Sequence, residues 1–334
     1  MSATTVSTQS KPSKSKSPRN SALKTMSVFG FDLGNRFPKF GYGDHMKKLA
    51  SYRAVIPAFQ EVSPHQLSAQ SHLVEIGAIR TVVGADAVSY GARPTFQGAD
   101  GHKWVHAKVF LFAALAELGL FGDVHIELLR TVTPDTQQPD QVTALKALEG
   151  AHSATVDGQE IRLVVSQVAV HDEGQPAWLV ATNEQKWHYP AAMNGVLDLG
   201  GGTGIARLFS PTGAPMRQSQ LILSGTFALA EKIQSYMAGP RCIPEIMDAI
   251  ENGSFQVPSG REFKSIFDHC LPEWLADIRG EIRSRWSAFE GRYGQIVVVG
   301  GSAPLANTLI EENPRYLSLE DPQTVSLRGL LING

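Results

Sequence analysis

Two aspartates close two short apolar runs: Asp32 follows residues 28–31, and Asp198 follows Val196 and Leu197. Each has a glycine two positions later, in Asp32-Leu33-Gly34-Asn35 and in Asp198-Leu199-Gly200-Gly201-Gly202-Thr203-Gly204. A glycine turn carries no Cβ, so its backbone N–H groups approach phosphate oxygens closely. An aspartate at the same place repels phosphate unless a cation lies between them. Mg²⁺ suits that position, because it binds through few carboxylates together with phosphate oxygens and retained waters. Two such turns facing each other would hold a triphosphate and its metal from both sides. A third turn, Gly300-Gly301-Ser302-Ala303 after the apolar run 296–299, would let a nucleoside lie flat against backbone. Singly, each is an ordinary tight turn. Three consecutive glycines, however, are costly wherever the structure does not need them, and three such turns in this order make coincidence a poor explanation.

The elements that must position these turns are legible as a mixed pattern. Residues 28–31, 53–59, 73–79, 81–83 and 124–131 read as strands, and 104–120 and 140–148 as helices. Between the first two strands, the stretch holding Lys39, Gly41, Gly43 and Asp44 reads as a polar, glycine-rich turn. Residues 153–156 and 161–170 read as a hairpin, since Asp157-Gly158 between β-rich runs is a strong turn signal. A second block starts near Gly195 with strand 196–197 and continues through helix-rich sequence from 224 to 292. It ends with strand 296–299 and a further helix. Strands and helices interleaved in this way argue for an α/β architecture.

Bulk properties exclude several classes. A formal net charge of -2 gives no overall bias toward nucleic acid or an anionic membrane. Two cysteines, Cys242 and Cys270, are too few for a disulfide framework and fit reduced, partly buried thiols in a cytoplasmic protein. The most apolar stretch, 104–122, is interrupted by His106, Lys108 and Glu117, so a buried helix is expected there in place of a membrane span. The opening residues carry Lys11, Lys14, Lys16, Arg19 and Lys24 among serines and threonines, with no acidic residue and no apolar core. Such a segment buries too little apolar surface to offset its chain entropy, so disorder is expected. It reads either as a tail touching DNA or a partner, or as an inert solvated one.

Taken together, these turns resemble those of the actin-like ATPase superfamily, which also includes heat-shock chaperone ATPases and sugar kinases. The resemblance covers nearly all of residues 27–334. It implies an α/β, actin-like two-domain fold, a duplicated ribonuclease H-like unit with a nucleotide cleft between the domains. The implied boundaries are a disordered tail at 1–26, a first domain at 27–190 to which 320–334 returns, and a second domain at 191–319. Asp32, Gly34 and Asn35 look like the first phosphate loop, and Lys39 falls where relatives carry a phosphate-facing lysine. Gly200, Gly201, Gly202 and Thr203, after Asp198, look like the second phosphate loop. Gly300, Gly301 and Ser302 look like the adenosine loop. Asp32 and Asp198 would hold Mg²⁺ through water and belong to the catalytic set. The closing segment, Asp321-Pro322-Gln323 with Arg328-Gly329-Leu330, is similar to that of ParM-type proteins.

The run His171-Asp172-Glu173-Gly174 stands where the family places the residue that orients the attacking water. Glu173 aligns with it and Asp172 is the neighbouring candidate; Lys186 and His188 read as surface or interdomain residues. The sequence departs from the pattern at Ile205, where many relatives have a second Asp, and at Arg36, where many have Gly. The first bears on how metal and water are held. The second either strengthens product retention or serves as a loop contact.

Within the superfamily, no peptide-binding domain follows the adenosine loop, and no amphipathic terminal helix offers a membrane anchor. The resemblance is therefore to the plasmid-segregating ParM-type actins. It implies an ATPase (GTP being the alternative nucleotide) that assembles head to tail into filaments weakened by hydrolysis. The implied partners are further copies of the chain and a DNA-binding adaptor on a centromere-like plasmid site, without direct sequence-specific DNA binding. Two other readings stay open: a non-polymerising small-molecule kinase of the same fold, and a hydrolysis-deficient nucleotide-binding scaffold.

Overall fold

The computed structural model describes residues 23–94 and 103–332. The first half builds a sheet from β1 (Lys24–Leu33), β2 (Pro38–Tyr42), β3 (His45–Lys48), β4 (Tyr52–Ile56), β5 (Ser71–Ile76), β6 (Ile79–Gly84), β7 (Arg93–Pro94), β8 (Gly122–Thr133), β9 (Gly150–Val156) and β10 (Gln159–Asp172). Helix α1 (Ala107–Glu117) precedes β8, α2 (Pro139–Lys146) follows it, and α3 (Gln175–Asn183) leaves β10. The second half contains β11 (Met193–Leu199), β12 (Thr203–Phe209), β13 (Leu221–Ser224), β14 (Tyr293–Val299) and β15 (Tyr316–Ser318). Its helices are α4 (Thr226–Tyr236), α5 (Ile243–Glu251), α6 (Lys264–Trp286), α7 (Asn307–Glu312) and, last, α8 (Val325–Leu331).

The two sheets repeat one topology. The first runs β3-β2-β1-β8-β10 and continues through β9, β5, β6, β4 and β7; the second runs β13-β12-β11-β14-β15. In both, the first three strands form an antiparallel meander, and the last two of the five add in parallel. The duplication expected from the paired Asp-x-Gly turns is thus present in strand order as well as in sequence. The C-terminal ends of β1 and β11 carry the turns, which is where open α/β sheets place ligands.

Burial fixes the layers. On the second sheet, Leu197 and Val298 face the helices α4 and α6, while their neighbours Val196 and Val297 face α3, following the two-residue period of a strand. On the first sheet, Phe29 and Phe31 pack with α1, whose residues from Phe110 to Ala116 are all buried. Between the sheets, α3 lies on the second and α8 on the first. Gly30 of β1 lets α8 come close, since a Cβ there would stand 2.7 Å from Leu327 Cδ1. The two helices also touch directly: a Cβ on Gly329 would lie 2.2 Å from the Pro176 carbonyl oxygen.

Several boundaries differ from expectation, for identifiable reasons. Residues 1–22 of the expected tail lie outside the described residues. Lys24, Thr25 and Met26, assigned to that tail, belong to β1, where they pair with Val124, His125 and Ile126 and bury Met26. The polar stretch after Asn35 is not a plain turn. It forms the β2–β3 hairpin, with Phe40 buried and only Gly43 and Asp44 at the bend. The strand expected over 53–59 stops at Ile56, before Pro57, because proline has no N–H to donate to the ladder. The helix expected over 104–120 splits into a 3₁₀ turn, Lys103–His106, and α1. Both cysteines are free and buried. Among the described residues, no helix is long and apolar enough to cross a membrane.

Gly329→Ala should part the α3–α8 crossing, because the added methyl meets backbone that no rotamer change can move. A loss of about 1–3 kcal/mol in denaturant unfolding is expected; an unchanged midpoint would mean that the helices slide apart freely.

Candidate functional site

The three turns converge on one cleft between the sheets. Asp32 sits at the end of β1, opposite Lys39 on β2, and the lysine ammonium lies 3.0 Å from Asp32 Oδ2. The Gly34 N–H donates to the Asp32 carbonyl at 2.9 Å, closing the turn. In the second loop the start of α4 clasps the glycines: Thr226 N–H donates to Gly200 O at 3.2 Å and Phe227 N–H to Gly201 O at 2.8 Å. The third turn is stitched to both its neighbours. Ser302 N–H donates to Leu199 O at 2.9 Å, and Gly300 N–H donates to Pro322 O of the closing segment at 2.8 Å. Only glycine fits at 300: its φ is +95°, and a Cβ would meet Asp198 Oδ1 at 2.4 Å.

The cleft is open to solvent. Every site residue read from the sequence lines it: Asp32, Gly34, Asn35 and Lys39; Glu173; Asp198, Gly200, Gly201, Gly202 and Thr203; Gly300, Gly301 and Ser302. Other lining residues carried no recognisable motif. Met247, Ile250, Pro304 and Leu305 supply apolar walls, and Lys103, Thr226, Glu251, Gln323 and Ser326 add polar groups. Lys186 and His188 are not among the lining residues; His188 pairs with Gln295 instead.

The electrostatics of the cleft are unbalanced. Burial raises the pKa of Asp198 to about 7; the neighbouring Glu173 and Asp32 add to the rise, while Lys39 opposes it. Burial likewise pushes the Glu173 carboxyl above its ordinary range, against the pull of Lys103. Burial alone would lower the Lys39 pKa, but Asp32 and Asp198 outweigh it and the net shift is upward. Three carboxylates therefore share two ammonium groups, and a divalent cation would relieve the excess negative charge. The donors present, strand-end carboxylates among glycine turns, fit Mg²⁺ held with phosphate oxygens and water. Among the described residues, no group of three or more His, Cys, Asp or Glu side chains is arranged to hold a metal unaided.

The geometry separates Glu173 from Asp172. The Asp172 carboxylate lies 2.8 Å from Arg217 and 3.1 Å from Arg207, and it accepts the Thr136 N–H at 3.0 Å. Burial would raise its pKa, yet these donors bring it below the ordinary range. Asp172 is thus committed to a clamp between the two halves of the chain, while Glu173 lines the cleft with its backbone N–H fixed to Thr133 O at 2.8 Å. The two departures also find places. Ile205 is buried directly across the β11–β12 ladder from Asp198, so its side chain brings no carboxylate to the cleft. Arg36 reaches across to α5, at 2.6 Å from Asp248 and 2.8 Å from Glu251. Lys48 joins the same group through Glu251 and Gln323. Of the roles open to Arg36, the structure shows a loop contact that bridges the cleft.

No protein-family model matches the chain, and no curated protein matches it. Solved structures do. An archaeal actin homolog, Ta0583, superposes with a TM-score of 0.77 at 19% identity over 92% of this chain and 98% of its own. Its complex with ADP gives a TM-score of 0.72 at 18% identity, covering 92% and 98%. The apo pSK41 ParM protein gives 0.69 at 16% identity, covering 93% and 96%. A ParM from Clostridium botulinum, solved as a 15-stranded filament, gives 0.70 at 15% identity, covering 92% and 98%.

Arg36→Ala removes both pairs to α5. Partly exposed pairs contribute up to about 1 kcal/mol each, so global stability should change little. The backbone amides of α5 should nevertheless exchange faster with deuterated solvent; unaltered exchange there would mean the bridge does not hold the cleft.

Proposed function

We propose that this chain, which has the fold of the bacterial and archaeal actin homologues, is a nucleoside triphosphatase that assembles into filaments. The observation that carries the reading is the convergence of two duplicated Asp-x-Gly turns, a third glycine turn and Glu173 on one cleft between two like sheets. Support for assembly comes from the likeness to a ParM solved as a filament, and support for the nucleotide from the likeness to an actin homolog solved with ADP.

In this reading ATP is the substrate, with GTP the alternative. The glycine turns at 34, 200–202 and 300–301 cradle its phosphates and nucleoside, and Asn35, Lys39, Thr203 and Ser302 add side-chain contacts. Asp32 and Asp198 hold Mg²⁺ through water, and the ion, when bound, neutralises charge on the phosphates. Phosphoryl transfer needs little covalent help from a protein and depends on placing the nucleophile in line. Glu173 is the residue at hand for orienting that water. The domains are 24–190 together with 320–332, and 191–319, and they hinge where α3 crosses α8.

Closure around nucleotide favours a conformation that adds head to tail to another copy, and such heterologous contacts propagate as filaments. Hydrolysis then shifts the domain equilibrium and weakens the lattice. The cellular role proposed is plasmid DNA segregation in the cytoplasm, with a DNA-binding adaptor linking filament to plasmid.

Glu173→Ala should bind nucleotide normally but release phosphate about a hundredfold more slowly, as expected for a lost positioning group. Its polymer should remain in the pellet on sedimentation after wild-type polymer has disassembled. Unchanged turnover would remove Glu173 from the mechanism.

A further inference from the structure

Lys103 belongs to none of the motifs, yet its ammonium pairs with the carboxylate of the proposed water-orienting residue. Its ammonium lies 3.6 Å from Glu173 Oε1, and the two side chains are only 13% and 18% exposed. The ammonium also stands 4.5 Å from the ring centroid of Trp104, which is itself buried. Lys103 opens the 3₁₀ turn that runs directly into α1, the helix buried along the first sheet. The cation is therefore mounted on a rigid element.

Glu173 is held with similar firmness. Its N–H is bonded to Thr133 O at 2.8 Å, its own carbonyl accepts from Arg207 at 3.4 Å, and Asp172 before it is clamped. The part of Glu173 still free to turn is the side chain. Asp32 and Asp198, which line the same cleft, would repel its carboxylate, and Lys39 is paired with Asp32.

We infer that Lys103 is a positioning residue for nucleotide hydrolysis: by engaging Oε1, it fixes the plane of the Glu173 carboxylate and so aims Oε2 at the attacking water. This rests on the function proposed above and adds a second residue to it. The charge of Lys103 also works against the burial that favours the neutral form of Glu173, a weaker acceptor than the carboxylate. A 1 Å misplacement of a reacting group costs about a hundredfold, so a carboxylate released to rotate should be a poor guide for water even with every phosphate contact intact.

The test is a double-mutant cycle on phosphate release, using Lys103→Met, Glu173→Ala, the pair together and Lys103→Arg, with nucleotide affinity and melting temperature measured for each. Lys103→Met should slow turnover about tenfold or more with nucleotide affinity unchanged, and Lys103→Arg should recover part of the rate. The double variant should be no slower than Glu173→Ala, because a residue acting through another adds nothing once that partner is gone. Additive losses, or a loss of nucleotide affinity in Lys103→Met, would overturn the inference and make Lys103 a phosphate contact. Full turnover in Lys103→Met would overturn this inference alone. No hydrolysis by the unaltered chain would overturn the proposed function, and this inference with it.

Discussion

Asp32, Glu173 and Asp198 are partly withdrawn from water in one cleft, beside the ammonium groups of Lys39 and Lys103. Burying carboxylates that lack full partners is unfavourable, and the rise of Asp198 to about 7 expresses that cost. Carboxylates so placed suit a divalent cation held between them and an anionic ligand. The fold keeps the three acids together despite their repulsion because each sits at the end of a strand packed into the centre of a sheet. Asp32 ends β1, Asp198 lies near the end of β11, and Glu173 follows β10.

The connection between the halves is correspondingly narrow. Helices α3 and α8 cross between the sheets with Gly329 flush against Pro176. To one side, Asp172 ties the end of β10 to Arg207 on β12 and to Arg217 just before β13. Across the mouth of the cleft, Arg36 and Lys48 reach acids on α5. The crossing is close backbone packing with an ion pair from Arg328 to Glu184 beside it, whereas the mouth is bridged by partly exposed ion pairs, which are individually weak. Such a division favours rotation about the helices with opening at the mouth, the hinge type of domain motion.

What was legible in the sequence was what is local. The Asp-x-Gly turns announce themselves because the turn, the acid and the preceding strand are contiguous, whereas Glu173 was singled out only by the resemblance, with Asp172 as its neighbouring candidate. The β2–β3 hairpin was hidden because Gly41, Gly43 and Asp44 are turn-forming types, while the buried positions of β2, Pro38, Phe40 and Gly41, show no apolar alternation. Helix α3 was hidden by its start: Gly174, with φ +87°, and Pro176 look like a loop but are a helix N-terminus. Arg36, Asp248 and Glu251 meet across 212 and more positions, and Lys103 reaches Glu173 from another element. Contacts of that kind leave no local trace, so the apolar walls and the second cation of the site were not legible in the sequence.

The most direct test of the central claim is right-angle light scattering of the purified chain after adding Mg²⁺ with ATP, with GTP or with neither, followed by negative-stain imaging. The account predicts a rise that needs both nucleotide and Mg²⁺, filaments in the images, and a later fall as phosphate is released. Bound nucleotide with no rise at any protein concentration would contradict it.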